Sequence, residues 1–429
     1  MISALIDRAR AWLIAWLGGG ADAPAVAAPA RPVPAKPAAG AQVAPNAAFT
    51  PTRPRAGRRN LVGRQQELDR ILDAILLDAG HVVLYSERGR GKTSLANMAV
   101  EALRRRGAIV GRFVCEAQTG FDTLFRGLAR DLPRSLLAAD GDEGEGCEAV
   151  LPAQPLRPAD VAKIPARLTC PRLVFVIDEF DRVQDGETRT RLADTIKLLS
   201  DRGVPLSLII VGVSVTLEQI IGQHPSIERN IMPIHLPLLA DSEIGEMLRK
   251  GGAQAGLQFS DTAIAVVTRV ARGMPYMAQL MGLRMAQAAS QRSDDQVRDE
   301  DVLKAAQILL RDTSPSVVGT YTALVARAGD HAVRGALERI ACADQDEWGR
   351  MAVAADGDNV RVGGKRVPGP VWEHLKKSGV LASPDGNPEL VQFQDRPLMY
   401  YVQLLAARDT LLAEAASGMG RVHEMASRA

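Results

Sequence analysis

Val83–Val100 reads VLYSERGRGKTSLANMAV. It follows His81 and Val82, and the run HVVLYS has the length and apolar character of a short buried strand. The continuation TSLANMAVEALRRRG has helical spacing and stops at Gly107. Between strand and helix lie Ser86, Glu87, Arg88, Gly89, Arg90, Gly91, Lys92 and Thr93. They follow the pattern GxxxxGK[ST], complete from Gly91 onward, with Ser86 in the first position where the pattern has glycine. Small residues at Gly89 and Gly91 let backbone N–H groups gather around a phosphate. A helix beginning at Lys92 adds free N–H groups and a positive dipole end. Lys92 is expected to counter β- and γ-phosphate charge, and the Thr93 hydroxyl to ligate Mg²⁺. Together with Ser94, these residues are the candidate nucleotide contacts.

Hydrolysis needs a carboxylate at the end of a neighbouring buried strand. RLVFVIDEFDRV supplies one. Asp178 ends the apolar run and is expected to hold Mg²⁺. Glu179 follows and is expected to take a proton from the attacking water. Asp181 reads as structural. LIIVGVS ends at Ser214, which either touches the γ-phosphate or water between two strand ends, or simply caps its strand. Arg229, just before the strand IMPIHLPLL, reads either as a finger reaching a neighbour's site or as a surface arginine.

The elements around this loop alternate. AIVGRFVCE, LVFVID, LSLIIVGVS and IMPIHLPLL read as strands, with FDTLFRGLARDL and TRTRLADTIKLLSDRG as helices between them. Such alternation predicts an α/β fold with a parallel sheet flanked by helices. The acidic, Gly-rich AADGDEGEGCEAV reads as an insertion loop. From Asp241 to about Asp312 the pattern is purely helical, and residues 313 to 415 mix helices with a short hairpin at SPDGNP. The expected organisation is an amphipathic helix at 1–20, an Ala/Pro-rich linker at 21–57, a core at 58–240, a helical lid at 241–312, a third domain at 313–415 and a tail at 416–429.

Composition adds bounds. With 429 residues, 46% apolar and 24% charged, the chain has room for two or three domains with real cores. A net charge of +2 compels no nucleic-acid partner. Cys115, Cys147, Cys170 and Cys342 form no CxxC pair and no metal-like pattern, so they read as thiols of a reducing compartment. No run of eighteen uncharged apolar residues is present. In MISALIDRARAWLIAWLGGG, Ile2, Leu5, Ile6, Ala9, Trp12, Leu13, Trp16 and Leu17 share one helical face. Three readings stay open for that face: a membrane surface, a partner protein, or the protein's own core. A signal peptide is disfavoured, because the phosphate loop implies a cytosolic ligand, and the expected location is cytoplasmic, peripheral at a membrane if the helix binds one.

NLVGRQQELDRIL, SERGRGKTSLA, VFVIDEFD, IVGVS, HPSIERNI and LPLLADSEIGEML occur in the order and spacing of AAA+ ATPases. Over residues 58 to 290 the chain resembles the origin-recognition-complex-like branch of that family and its bacterial relatives. The resemblance implies ATP and Mg²⁺ as cofactors. It also implies that Leu61, Val62, Gly63 and Arg64 lie near the adenine, and that Gly273 and Pro275 form a lid turn beside the nucleotide. Many members carry a sensor arginine at the start of the next helix; here that position is Tyr276 or Met277, with Arg272 preceding the turn. VPGPVWEHLKKSGVLASPDGNPELVQFQDRPLMYYVQLL is similar to the winged-helix module of many members. From Asp312 onward there are thirteen basic and fifteen acidic side chains, with Lys365, Arg366, Lys376 and Lys377 the only local basic cluster. Phosphate attraction there is expected to be feeble.

The resulting expectation is an ATP hydrolase that drives a conformational or assembly switch on a protein or DNA partner, with self-association possible. The alternatives are a non-hydrolysing nucleotide-gated switch or adaptor, and a DNA-associated initiator or transposition helper.

Overall fold

The computed structural model describes residues 43–51, 62–137, 146–168, 172–214, 217, 227, 229–326 and 330–426. The amino-terminal helix, most of the linker, Leu61, Cys170 and most of the segment before Arg229 lie outside these residues, as does much of the acidic insertion. The chain divides into two compact units, residues 52–237 and residues 1–51 with 238–429.

The first unit is built on five strands: β1 (His81–Ser86), β2 (Ile109–Val114), β3 (Leu173–Asp178), β4 (Leu206–Val213) and β5 (Ile231–His235). Their order is β2-β3-β4-β1-β5 and every pairing is parallel. All five strand expectations are met. The central strands are apolar on both faces because both faces are covered. Val82 and Leu84, Val174 and Val176, and Ile209 and Val211 face the helices Gln65–Leu76 and Lys92–Arg105. Val83, Phe175, Ile177, Leu208 and Ile210 face Phe121–Arg130 and Gly186–Asp201. That alternation puts Asp178, two residues after Val176, on the face carrying the helix that begins at Lys92. Val110 packs on the same face, so Arg112, two residues further along β2, belongs to it as well. Gly111 faces the other way; a Cβ there would meet the Leu128 carbonyl oxygen at 2.7 Å, so the helix Phe121–Arg130 can lie close on the sheet edge.

In the second unit the four helices Asp241–Gln254, Asp261–Ala271, Pro275–Gln291 and Asp299–Arg311 realise the purely helical pattern. Glu243 reaches back to the Ala240 N–H at 2.7 Å, and the Ser260 hydroxyl accepts from Ala263 N–H at 3.0 Å. The short parallel pair β6 (Gln258–Phe259) and β7 (Gln296–Val297) ties two interhelical turns together. After Pro315–Ala326 and Asp330–Ala341 comes a sheet of order β10-β9-β8-β12-β11. Its strands are β8 (Met351–Asp356), β9 (Asn359–Val362), β10 (Lys365–Pro368), β11 (Leu381–Ala382) and β12 (Leu390–Phe393). The hairpin at SPDGNP is present, with Leu381 opposite Phe393. The meander β8–β10 was not expected: its strands are short and rich in alanine and arginine, and their signal lies in the turn sequences DGDN and GG. The helix Gly369–Lys377 ends before Gly379, which adopts φ 74°. Arg396–Ala426 closes the unit.

Part of the stretch expected as an extended linker is folded. Pro45–Ala48 forms a helical turn and Phe49 is fully buried. Its ring lies 5.8 Å from that of Phe259 and against Gly251 and Gly282, where a Cβ on either glycine would approach ring carbons to 2.5 and 2.6 Å. Val43 N–H donates to the Gln254 carbonyl at 3.0 Å, and Thr50 N–H to Gln279 Oε1 at 3.1 Å. The Ala/Pro composition concealed a single aromatic anchor. Phe49→Ala should lower unfolding stability by ~3–5 kcal/mol, because two glycines cannot refill the space. Chemical denaturation of the full chain is the check, and a loss under 1 kcal/mol would refute the anchor.

Candidate active site

The phosphate-type loop runs from the end of β1 to the helix Lys92–Arg105. Gly89 and Gly91 adopt φ 82° and 92°, left-handed conformations that favour glycine. Gly91 is the residue before the helix, so the turn delivers Lys92 at its first position. The Lys92 side chain is nearly buried. Its ammonium donates to the carbonyls of Ser86 and Glu87, both at 2.8 Å, and to Ser86 Oγ at 3.4 Å. Burial pushes Lys92 down to about 8, against the raising effect of Asp181 and Asp178 and with Arg90 and Arg88 adding to the fall. Ser86 is fully buried, which suits a small residue in the pattern's first position. Thr93 and Ser94 are half-buried in the first helical turn, and Arg88 and Gly89 are exposed.

Two loop side chains serve the fold. The buried Arg90 guanidinium donates to the Leu236 carbonyl at 3.0 Å and to Glu87 Oε2 at 2.9 Å. Arg90 and Glu87 are expected among the nucleotide contacts; their charged side-chain groups brace the loop against the segment after β5. Arg64 is likewise occupied, donating to the Pro237 carbonyl at 2.6 Å and to Glu67 at 3.0 Å. Val62 is buried and Gly63 turns at φ 68° beside them.

β4 lies between β1 and β3. Ser214, directly after β4, is buried and donates its N–H to the Ser86 carbonyl at 3.2 Å. It therefore falls between the loop and the end of β3, as its strand position predicted. Asp178 is 5% exposed. Its Oδ1 accepts from Glu179 N–H at 3.0 Å, and its Oδ2 lies 3.7 Å from an Arg112 Nη2. Burial raises its carboxyl above the ordinary range, while the Glu179 N–H and Arg112 oppose that rise. Glu179 adopts φ 55°, and its half-exposed carboxylate pairs with Arg182 at 2.7 Å. A non-glycine residue in this region costs on the order of 1–3 kcal/mol, and such strain clusters at functional sites. The turn is held by Phe180, fully buried under the Arg189 guanidinium, and by Asp181, whose Oδ1 accepts from Val213 N–H at 2.7 Å. Asp181 thus ties this turn to the end of β4.

Arg229 is exposed in the turn before β5. Gly273 and Pro275 lie in the second unit. Gly273 takes φ 74°, where a Cβ would meet the Leu239 carbonyl oxygen at 2.5 Å, and Pro275 starts its helix. Tyr276 is exposed and Met277 buried. Arg272 sits at φ 44°, its largely buried guanidinium bonded to the Ala343 carbonyl. Within its own unit, Arg272 therefore serves as a tie between the helices and the following segment.

Cofactor fit follows from the donor types. Among the described residues no group of three or more His, Cys, Asp and Glu could hold a metal by itself. The pair available, the Thr93 hydroxyl and the Asp178 carboxylate, offers hard oxygens of the kind that bind Mg²⁺ together with substrate phosphates. Sequence reasoning missed Arg112, whose guanidinium lies 3.7 Å from Asp178 Oδ2 and donates to Asn97 on the helix that begins at Lys92. The available signal was an arginine breaking the apolar run of β2. Cys115, read from the sequence only as a thiol of a reducing compartment, is buried beside Asp178. Its N–H donates to the Asp178 carbonyl at 2.8 Å, and burial with the nearby carboxylates pushes the thiol up to about 12, so it stays protonated.

Residues 60–211 match the AAA ATPase domain family. No curated protein matches the chain. Among solved structures, a Walker-type ATPase of Pyrococcus abyssi is similar at 16% identity and a TM-score of 0.49, over 82% of this chain and 98% of that one. Cdc6p of Pyrobaculum aerophilum is similar at 15% identity and 0.45, over 87% and 98%. The RuvB Holliday junction branch migration motor of Thermotoga maritima is similar at 16% identity and 0.42, over 80% and 93%.

Proposed function

We propose that the AAA ATPase domain of residues 60–211 binds ATP with Mg²⁺ and hydrolyses it to ADP and phosphate, driving a conformational or assembly switch on a partner. The observation that carries the reading is the loop itself: a buried lysine at a helix start, behind two left-handed glycines, one strand away from a buried aspartate. A buried cation and a buried carboxylate are costly unless something charged engages them. In the mechanism, Lys92 exchanges its bonds to the Ser86 and Glu87 carbonyls for phosphate oxygens. Thr93 and Asp178 would hold Mg²⁺, which would neutralise charge on the phosphates. Glu179 accepts the proton of the attacking water, and Ser214 orients that water or the γ-phosphate.

A second reading has its own observation. The Glu179 carboxylate is paired with Arg182, and hydrolysis requires it to turn to a water instead. A chain in which that pair persists would bind ATP and switch without turnover. Single-turnover hydrolysis by the purified full-length protein with Mg²⁺ separates the two: release of phosphate supports the ATPase, and bound, intact ATP supports the non-hydrolysing switch. We also propose the carboxyl-terminal sheet and the helix Gly369–Lys377 as a partner-binding module of winged-helix type. Its charge balance favours a protein partner over DNA.

The Lys92 ammonium makes nucleotide binding pH-dependent. The free protein loses this proton as pH rises through about 8, whereas bound phosphate stabilises the charged form. ATP affinity should therefore be flat below pH 7.5 and fall above 8, approaching tenfold per pH unit. At pH 8.5, binding should take up a proton, seen as a dependence of the calorimetric heat on buffer ionisation enthalpy. An affinity independent of pH from 7 to 9.5 would refute this.

A further inference from the structure

Arg112 belongs to none of the motifs that identify the site, yet it is joined to two of its parts. One Nη donates to Asn97 Oδ1 at 2.6 Å, on the helix that begins at Lys92. The other lies 3.7 Å from Asp178 Oδ2. Arg112 sits opposite Val176 in the β2–β3 register, and Val114 sits opposite Asp178. The arginine is thus the diagonal same-face neighbour of the aspartate, within reach of a long side chain. Oδ1 of Asp178 accepts from Glu179 N–H, and its Oδ2 has the Arg112 guanidinium at ion-pair distance. An arginine in a strand of a nearly apolar sheet is unusual, and this one is only about one-third exposed.

We propose that Arg112 is a positioning residue for the metal carboxylate. Its guanidinium fixes the rotation of Asp178 and couples it to the phosphate-loop helix through Asn97. Thr93 on the helix and the Asp178 carboxylate would both be ligands of Mg²⁺ if it binds here. A rigid link between them sets their separation before ligand arrives. This inference rests on the ATP·Mg²⁺ reading and adds a residue to it. Outer partners that orient ligating carboxylates typically change metal affinity by about 10–100-fold when removed.

The test is a thermodynamic cycle on the full-length protein. ATP affinity is measured by calorimetry in Mg²⁺ and in EDTA, and the ratio reports the Mg²⁺ contribution. Arg112→Met should leave the EDTA affinity within about twofold of wild type and reduce the Mg²⁺ enhancement by about tenfold or more. Arg112→Lys, which keeps the charge but not the fork, should fall between. Asn97→Ala provides a milder variant should the methionine protein fold poorly; it should reduce the enhancement by about threefold, the scale of one hydrogen bond. Equal losses in both arms, or no loss in either, would overturn the positioning role. Wild-type protein that binds ATP in neither arm would overturn the ATPase reading itself, and this inference with it.

Discussion

Lys92→Ala protein is expected to bind ATP at least ~100-fold more weakly than wild type while unfolding at the same temperature. The affinity loss corresponds to about 2.7 kcal/mol. Bonds from a charged donor contribute about 1.5–3 kcal/mol each, so losing one or two of them to phosphate oxygens suffices. The intact fold follows from the surroundings. Removing the ammonium leaves the Ser86 carbonyl bonded to the Ser214 N–H and the Glu87 carbonyl bonded to the Ser86 hydroxyl. Neither acceptor is stranded. The lysine is also a nearly buried cation, so its removal relieves a burial cost that offsets the lost packing. Binding of a fluorescent ATP analogue beside a thermal melt is the measurement. Unchanged affinity would remove the phosphate-loop assignment. Loss of affinity together with a melting temperature lowered by ten degrees would mean that the lysine supports the fold.

The strands and the loop were legible because their physics is local. A parallel sheet covered on both faces needs continuous apolar runs, and LVFVID and LSLIIVGV are such runs. The loop announces itself through glycines that must take left-handed conformations, and both do. What stayed hidden depends on contacts distant in sequence. The Arg112 partners lie 15 and 66 residues away, so no window reveals them. The inward turn of the Arg90 side chain comes from the return of Leu236 beside it, 146 residues on. Phe49 is a lone aromatic in a low-complexity segment, and its meaning comes from two glycines two hundred residues away. The meander β8–β10 is held by turns and cross-strand pairs more than by apolar periodicity. Local pattern thus carried the candidate site residues, and tertiary closure decided which neighbours support them.

Glu179→Gln should retain ATP binding within about twofold and lose turnover by about 100-fold or more, the range for removal of a general base. The substitution keeps the size of the side chain and its ability to sit at φ 55°, so the turn under Phe180 and Asp181 is expected to persist. It removes only the negative charge and the proton acceptor. Asp178, Thr93 and Lys92 are untouched, which is why affinity should hold. The Arg182 pair adds a second expectation. Arg182→Ala releases the carboxylate at little cost to the site, since the pair is solvent-exposed. If that pair holds Glu179 away from water, Arg182→Ala should raise basal turnover by a few-fold at most, because a pair this weak can bias an orientation only that far. Phosphate release under single-turnover conditions measures both variants. Equal rates in wild type and Glu179→Gln, with phosphate still released, would mean that another residue takes the proton. Equal rates with ATP left intact would favour the non-hydrolysing switch.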